Sequence, residues 1–493
     1  MLVPQPAPPS FAVSRWVFAR ALGAIFFFAF ASLGLQIRGL IGERGIVPVR
    51  EFLNAAYSQL GPAAFWKMPS VCWVYAGDGF LVTLCALGVA LSIALIWGFR
   101  PSLCAALLWL LYLSLASVCS PFLDFQWDGL LLETGFLAIF FLPYGRRPNW
   151  RRMTFLSRIA LWLLWWLLFR LMFESGVVKL ASHDPAWRSL SALDFHFETQ
   201  PLPLWTAWFA NQLPHWLTPF LTLAMFAIEL VAPFFIVAPR RLRHIAAWSL
   251  IGLQIVILLT GNYAFFNLLT IALCIPLFED AAWPSRLRGR MKLSVTFNAR
   301  RRPLWVTPVA VPLACFIVML TSLPLFADFG WFQESTGWVT SAGRALAPLR
   351  SFNGYGLFAV MTTSRREIVI EGSDDGVLWR EYDFSWKPGE LDEGPGLVAP
   401  FQPRLDWQMW FAALSSPEQN PWFVRLLQRL LEGSPEVVGL LRRNPFSDHP
   451  PRIVRAVFYD YHFTRFGDPG SAWWKREPLG LYYPAASLKS AGQ

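Results

Sequence analysis

Long apolar runs dominate the first two-thirds of the chain, where they alternate with polar or basic connections. A helix needs roughly 20 apolar residues to cross a hydrocarbon layer of about 30 Å, and most of these runs approach that length. The pattern therefore predicts an α-helical polytopic membrane bundle with about nine transmembrane helices. The predicted spans are residues 17–37, 79–97, 102–120, 129–144, 156–173, 216–238, 245–260, 264–278 and 304–326.

After residue 327 short alternating and helical patterns replace the long apolar runs. A Gly-Ser-Asp-Asp-Gly turn between two β-branched and aromatic runs is typical of a β-hairpin. The tail should therefore be a mixed, β-rich α+β domain. Its predicted elements are strands at 367–371, 377–384 and 453–463, helices at 405–411 and 422–431, and a helix that begins at Ser434-Pro435 and stops at Asn444-Pro445.

The composition agrees with a membrane domain followed by an ordinary folded domain. The chain is 55% hydrophobic, 16% aromatic and only 15% charged, whereas a soluble protein has about 25% charged residues. A single soluble globule and a disordered chain are both excluded. We expect a cytoplasmic N-terminal tail (1–16), a transmembrane domain (17–326) with long outside loops at 38–78 and 174–215, and a C-terminal extracytoplasmic domain (327–493).

The basic residues predict the orientation in the membrane. Connections two, four, six and eight between the predicted spans carry fifteen Lys or Arg, and the longer odd connections carry six. Cytoplasmic connections are the basic ones, so the N-terminus should be cytoplasmic and the tail outside. Arg15 and Arg20 are expected to reach the headgroups at the end of the first span. No basic helix or basic aromatic strip suggests a nucleic-acid partner.

Three ionisable residues fall inside apolar runs, where an unpaired charge is costly: Glu133, Arg170 and Glu229. The favoured interpretation is an internal ion pair, in which Arg170 contacts Glu174 one turn on or Glu133 across helices. The alternative is a polar cavity that handles a substrate.

The fifth connection, 174–215, is rich in ionisable side chains: histidines, carboxylates and a lysine. His196 and Glu198 would share one face of an extended segment and could bind a metal, but solvated loop residues explain them better, so we expect no metal. Lys179 at low-dielectric surface could act as a base, although an interfacial anchor is the favoured interpretation. His183 and His196 are the other candidate catalytic residues. The candidate pocket or client-binding residues in this region are Arg170, Glu174, Asp184, Trp187, Arg188, Asp194, Glu198 and Gln200.

The short third connection adds a second group of candidates. Asp124 and Asp128 are one turn apart if helical, and with Trp127 and Glu133 they could line the same pocket as the fifth connection. The chain has no nucleophile elbow, zinc-protease motif, phosphate loop or dinucleotide fingerprint. No cofactor is therefore expected, and an enzyme is not favoured.

Long motifs in both halves resemble the lipase maturation factor family, from the first span to Tyr483. In animals such proteins are endoplasmic-reticulum membrane chaperones that help dimeric secreted lipases fold and assemble. The Arg-rich usage is more similar to a bacterial member, which would place the protein in the inner membrane with its tail in the periplasm; in a eukaryote the tail would be lumenal. The motifs are SGVVKL (175–180), DPAWR (184–188), ALDFHFETQPLP (192–203), FQWD (125–128), LLETG (131–135), YGLFAVMTT (355–363), IEGSDDG (370–376), PRLDWQMWFA (403–412) and YDYHFT (459–464).

The resemblance implies a membrane-embedded, ATP-independent maturation factor whose partners are membrane lipid and secreted clients. Residues 176–180 (GVVKL) and 184–187 (DPAW) are also similar to the helix-end segment of vitamin K-dependent carboxylases, where the membrane region holds a catalytic lysine. That second similarity implies an alternative function: a membrane enzyme acting on a lipid, a quinone-like substrate or a client side chain, with Lys179 as base.

Overall fold

The computed structural model describes residues 10–290, 306–329 and 337–488. Parts of the sequence predictions lie outside the described residues. These are residues 1–9 of the N-terminal tail, the basic residues Lys292, Arg300, Arg301 and Arg302, the first two residues of the ninth predicted span, and residues 330–336 and 489–493 of the tail.

In the described residues sixteen α-helices precede the tail sheet, and several long ones pack side by side as a bundle. The first seven are α1 (Ala12–Ile41), α2 (Val49–Leu60), α3 (Ala63–Lys67), α4 (Asp78–Trp97), α5 (Pro101–Ala116), α6 (Gln126–Phe141) and α7 (Phe155–Ala181). The next nine are α8 (Pro185–Arg188), α9 (Leu193–Thr199), α10 (Trp205–Ala210), α11 (Thr218–Leu230), α12 (Arg240–Thr260), α13 (Phe266–Cys274), α14 (Ser285–Arg290), α15 (Val306–Asp328) and α16 (Trp338–Leu346).

Six helical segments of the described chain are long and apolar enough to cross a membrane: Ala12–Ile41, Asp78–Trp97, Phe155–Ala181, Thr218–Val237, Arg240–Thr260 and Thr307–Asp328. The predicted number of nine is not confirmed. Predicted spans 102–120, 129–144 and 264–278 correspond to the shorter helices α5, α6 and α13, of 16, 16 and 9 residues. A hydrophobic run therefore overstated helix length where turns or 3-10 segments end the helix.

Close contact between α1 and α4 organises the bundle. A Cβ atom at Gly88 would lie 2.4 Å from the Phe30 ring, so the missing side chain allows the two helices to approach. Phe26, Phe30 and Tyr112 are fully buried around this contact, and the Tyr112 ring packs edge to face on both phenyl rings.

The tail contains a four-stranded antiparallel sheet in the order β2-β1-β3-β4, which carries three helices. The predicted hairpin and third strand are present. The structure adds β4, which the sequence interpretation missed, and ends the last helix at Val438 because residues 442–443 instead bond to Asp383. The elements are β1 (Arg365–Ser373), β2 (Arg380–Glu381), α17 (Arg404–Ala413), α18 (Pro421–Leu431), α19 (Pro435–Val438), β3 (Ile453–Phe463) and β4 (Trp474–Ala486).

Two local expectations are wrong. Helix α7 continues to Ala181 rather than ending near Phe173, so Glu174 and Lys179 belong to a helix and not to the loop 174–215. Arg15 does not reach toward headgroups: it is fully buried and donates to the carbonyl oxygens of Phe141 (2.9 Å) and Trp150 (3.0 Å). Buried hydrogen-bond partners compensate the charges of Arg15 and Lys179, which permits both side chains inside the bundle.

The tail domain contacts one end of the bundle, which we call the tail end. There it hydrogen-bonds to each odd connection between the predicted spans. The contacts are Arg429 Nε to the Gly45 carbonyl (2.9 Å), Gln408 Nε2 to the Pro121 carbonyl (2.7 Å), Arg365 Nη2 to the Pro201 carbonyl (2.9 Å) and Asn262 Nδ2 to the Gly396 carbonyl (2.8 Å). The start of α1 lies at the opposite end, where Val13 N donates to Asp280 Oδ1 (2.7 Å).

Candidate functional site

Lys179 forms a buried ion pair with Glu229 between α7 and α11. Its Nζ lies 2.8 and 3.0 Å from the two Glu229 carboxylate oxygens and 3.1 Å from the Ser175 carbonyl oxygen. The side chains are only 5% and 7% exposed, so Lys179 is not an interfacial anchor. A lysine ammonium has three protons, and three acceptors occupy them here. The Trp187 ring lies 5.5 Å from Nζ.

The turn after α7 is held by side-chain caps. Asp184 Oδ1 accepts from the backbone N–H groups of Ala186 (2.9 Å) and Trp187 (3.2 Å), which is the usual role of Asp before a helix. Its other oxygen accepts from Met361 N of the tail (3.2 Å). His183 adopts φ +59° and its Nδ1 contacts the Arg188 guanidinium. The four candidates His183, Asp184, Trp187 and Arg188 therefore shape a turn.

His196 lies on helix α9 and not on an extended segment, so the predicted shared face with Glu198 is wrong. Its Nε2 is 3.5 Å from the Tyr263 hydroxyl, which donates to Gln200 Oε1 at 3.1 Å. Burial, aided by the Lys179 charge, lowers the pKa of His196 to about 4. The imidazole is therefore neutral near pH 7.

The remaining acidic residues of this connection are already bonded. Asp194 accepts from Thr218 Oγ1 (2.6 Å) and contacts His215 Nδ1 (3.1 Å), and Glu198 accepts from Phe463 N (2.8 Å) and contacts His462 Nδ1 (3.0 Å). Among the described residues, no three His, Cys, Asp or Glu side chains are grouped closely enough to hold a metal ion.

Arg170 pairs with Glu133 across α6 and α7, one of the two partners that the sequence offered. Glu133 Oε2 also accepts from the Tyr355 hydroxyl (2.8 Å) and from Asn353 N (3.2 Å), while Arg170 Nη1 donates to the Asn353 carbonyl (2.6 Å). Glu174 is separate: its Oε2 is buried and has no hydrogen-bond partner within the described ranges.

Asp128 binds the tail directly. Its carboxylate accepts from Arg404 Nη1 and Nη2 (both 3.1 Å) and from the Tyr112 hydroxyl (2.5 Å), and all three side chains are fully buried. Trp127 stacks on Phe125 (4.6 Å between ring centres). Its other ring neighbour is Trp407 of α17, at 4.7 Å.

Asp124 precedes α6, so the expected helical spacing with Asp128 is wrong. It instead pairs with Arg350 (2.9 Å) beside an open cleft. The candidates thus form three separate groups rather than one pocket: Lys179 with Glu229, Glu133 with Arg170, and Asp128 with Arg404.

Sequence reasoning missed the tail partners Tyr355 and Arg404. Both fall in motifs that carry the family resemblance, 355–363 and 403–412, but a linear pattern does not show what a side chain contacts. Each group pairs a buried cation with a buried carboxylate, an arrangement that holds helices and tail together. Among the described residues, the Nε atoms of Arg170 and Arg404 are buried without a hydrogen-bond partner.

Comparisons with known proteins match both the helical part and the tail of the chain. A model of the lipase maturation factor transmembrane domain matches residues 13–285, and one of the lipase maturation factor C-terminal domain matches residues 351–484. Human lipase maturation factor 2 is 36% identical over 96% of this chain and 82% of its own length. Lipase maturation factor 1 is 34% identical in mouse (97% and 88%) and 35% in cattle (97% and 90%). No solved structure matches the chain.

Proposed function

Because the chain belongs to the lipase maturation factor family, we propose that it is a membrane-embedded chaperone that assists folding or assembly of secreted proteins, with lipases as clients. The match over both domains carries this proposal. The sequence has no nucleotide-binding motif, so any binding cycle would be ATP-independent. Unfolded clients would bind to exposed apolar surface of this protein and would be released as folding buries their own apolar side chains.

The end of α17 offers such a surface. Phe411 and Leu414 are 41% and 46% exposed, and Leu397 nearby in sequence is 62% exposed. Phe411 packs on Phe125 (5.8 Å between ring centres), so it is held beside the tail end of the bundle. A rigidly held aromatic side chain loses little conformational entropy when a client covers it. We assign first contact with clients to Phe411 and Leu414.

The test is the specific activity of a secreted lipase, per amount of lipase protein, in cells that lack their own maturation factor. We expect the wild-type chain to restore activity and Phe411→Asp/Leu414→Asp to restore much less at equal membrane level. Val377→Asp is the control, since Val377 is 76% exposed on the β1–β2 turn and should tolerate the change. Failure of the wild type would exclude lipases as clients, and full rescue by the double variant would exclude this surface.

We also propose nine membrane crossings, with the N-terminus cytoplasmic and the tail in the periplasm or the lumen of the endoplasmic reticulum. The contacts of the odd connections with the tail support an odd number of crossings. In a Cys315→Ser background, an impermeant maleimide should label Val377→Cys from outside and Arg146→Cys only after permeabilisation. The opposite labelling would reverse the topology.

The alternative function is a membrane enzyme with Lys179 as base. The buried position of Lys179 beside Trp187 favours it, but the three hydrogen bonds of Nζ favour a structural ion pair. Removing one partner of a buried pair costs about 3–5 kcal/mol, whereas replacing both by apolar side chains is often nearly neutral.

Lys179→Met and Lys179→Met/Glu229→Met separate the two functions. For a structural pair, the single variant should lose stability and lipase rescue, and the double variant should recover both. For a catalytic base, the double variant should regain membrane level and melting temperature yet stay inactive. That second result would replace the chaperone proposal by the enzyme.

A further inference from the structure

Helix α10 packs across the end of α12 and exposes aromatic side chains. Thr206 Oγ1 donates to the Leu259 carbonyl in the last turn of α12, and Pro203 pairs with Gly261 just after that helix. Trp205 and Phe209 of this helix are large aromatic residues, yet they are 49% and 47% exposed.

These side chains continue the apolar surface of two membrane helices. On α12, Val256 and Leu259 are 59% and 56% exposed. Trp216, two residues before α11, is 69% exposed, and Phe220 in the first turn of α11 is 65% exposed. Both helices belong to segments long and apolar enough to cross a membrane, so we expect their exposed apolar faces to contact lipid. Trp205 therefore lies where the lipid-facing surface meets the tail end.

The tail reaches this boundary through the loop 464–473 between β3 and β4. Trp208 Nε1 donates to Thr464 Oγ1 (3.1 Å), and Gln212 Nε2 donates to the Thr464 carbonyl (3.0 Å). Phe466 packs on Trp208, with ring centres 4.8 Å apart, yet remains 66% exposed. The loop is thus fixed to α10 with its phenyl ring turned outward.

We propose that Trp205, Phe209, Trp216 and Phe466 form a lipid anchor that places the β3–β4 loop in the headgroup layer on the tail side of the membrane. Aromatic side chains favour this layer because an apolar ring leaves water there while polar groups stay hydrated. Arg465, exposed next to Phe466, can extend toward lipid phosphates. Continuity with α11 and α12 makes lipid, and not a client protein, the occupant.

The test uses the full chain in phosphatidylcholine nanodiscs, in a Cys315→Ser background, with an environment-sensitive fluorophore on Phe466→Cys. A residue at this depth lies within about 10 Å of the headgroup–acyl boundary, so nitroxide on the fifth acyl carbon should quench emission roughly two-fold. The control label on Val377→Cys should be quenched much less. Equal quenching at both positions would overturn the anchor.

A second measurement needs no substitution. If both side chains faced water, hydroxyl radicals should oxidise Phe466 (66% exposed) more than Phe411 (41% exposed). In nanodiscs the anchor predicts the reverse order, because lipid covers Phe466. If Phe466 remains the more oxidised of the two, the loop lies in water and the anchor is excluded. Neither measurement depends on chaperone activity, so the anchor can fail while the proposed function stands.

Discussion

Each buried basic side chain of the candidate groups is paired with a carboxylate on a different element. Lys179 pairs with Glu229, Arg170 with Glu133, and Arg404 with Asp128. Such pairs add little net stability, because desolvation offsets the attraction, but losing one partner leaves a costly buried charge. We expect such pairs to select which elements pack together, since other arrangements would leave a charge in apolar surroundings.

His196 should make stability depend on pH. Its pKa is about 4 in the folded protein, mainly because of burial, and about 6.5 in an unfolded chain. The unfolded chain therefore binds more protons between these values, and stability should fall as pH drops from 6.5 toward 4. The melting temperature in detergent at pH 7 and pH 5 measures this fall.

His196→Gln should show a smaller fall in melting temperature than the wild type. His449→Gln is the matched control because the His449 side chain is 63% exposed. Equal falls in the wild type and His196→Gln would mean that the His196 imidazole is not the group responsible.

At the scale of single residues, the sequence indicated the important residues more reliably than it indicated their contact partners. Glu133, Arg170 and Glu229 stood out because each interrupts an apolar run, and the Arg170–Glu133 pair was one of two predicted options. The Lys179–Glu229 pair was missed because hydrophobicity ends before Lys179 although its helix does not. A pattern of polarity cannot show that a helix continues when buried partners satisfy its polar residues.

At the scale of elements, the α1–α4 contact should be sensitive to added volume. Gly88→Val places methyl groups where Phe30 already lies, and overpacking of this kind costs about 1–3 kcal/mol. Gly252→Val is the control: Gly252 also lies inside a long helix, but its Cβ position has no neighbour within 4 Å among the described residues. Melting in detergent should separate the two variants. A stable Gly88→Val protein would show that the helices can move apart freely.

Predicted and missed strands of the tail differ in their side-chain pattern. Strands β1 and β3 carry β-branched and aromatic residues and were predicted from them. Strand β4 contains Pro478, Gly480 and Pro484, which argue against a strand. It forms because it is an edge strand whose pairing with β3 shifts register at three points. Its existence depends on a partner strand, which its own sequence does not specify.

For the molecule as a whole, buried contacts should hold the tail in place more than exposed ones. Arg404→Met leaves the Asp128 carboxylate buried without its cation, at a cost of about 3–5 kcal/mol. Arg425→Met removes another ion pair between the tail and the bundle, the one with Glu51 of α2. The Arg425 and Glu51 side chains are 47% and 57% exposed, so the loss of stability should be below about 1 kcal/mol.

Hydrogen exchange at α17 is the readout for the two arginine variants. It should accelerate in Arg404→Met, recover in Arg404→Met/Asp128→Leu and remain unchanged in Arg425→Met. Equal protection in all three would mean that the tail is held mainly by apolar packing.

The contact between α1 and α17 also constrains how the protein is made. Gln36 Nε2 donates to the Gln402 carbonyl (2.7 Å), and Gln36 Oε1 accepts from Arg404 N (2.8 Å), across 366 and 368 residues of chain. At a synthesis rate of about 5–20 residues per second, these partners of α1 are synthesised roughly 20–70 s after Gln36. During that interval its buried amide must be hydrated or held by the insertion machinery. A maturation factor for other proteins would thus itself pass through a long incomplete stage at the ribosome.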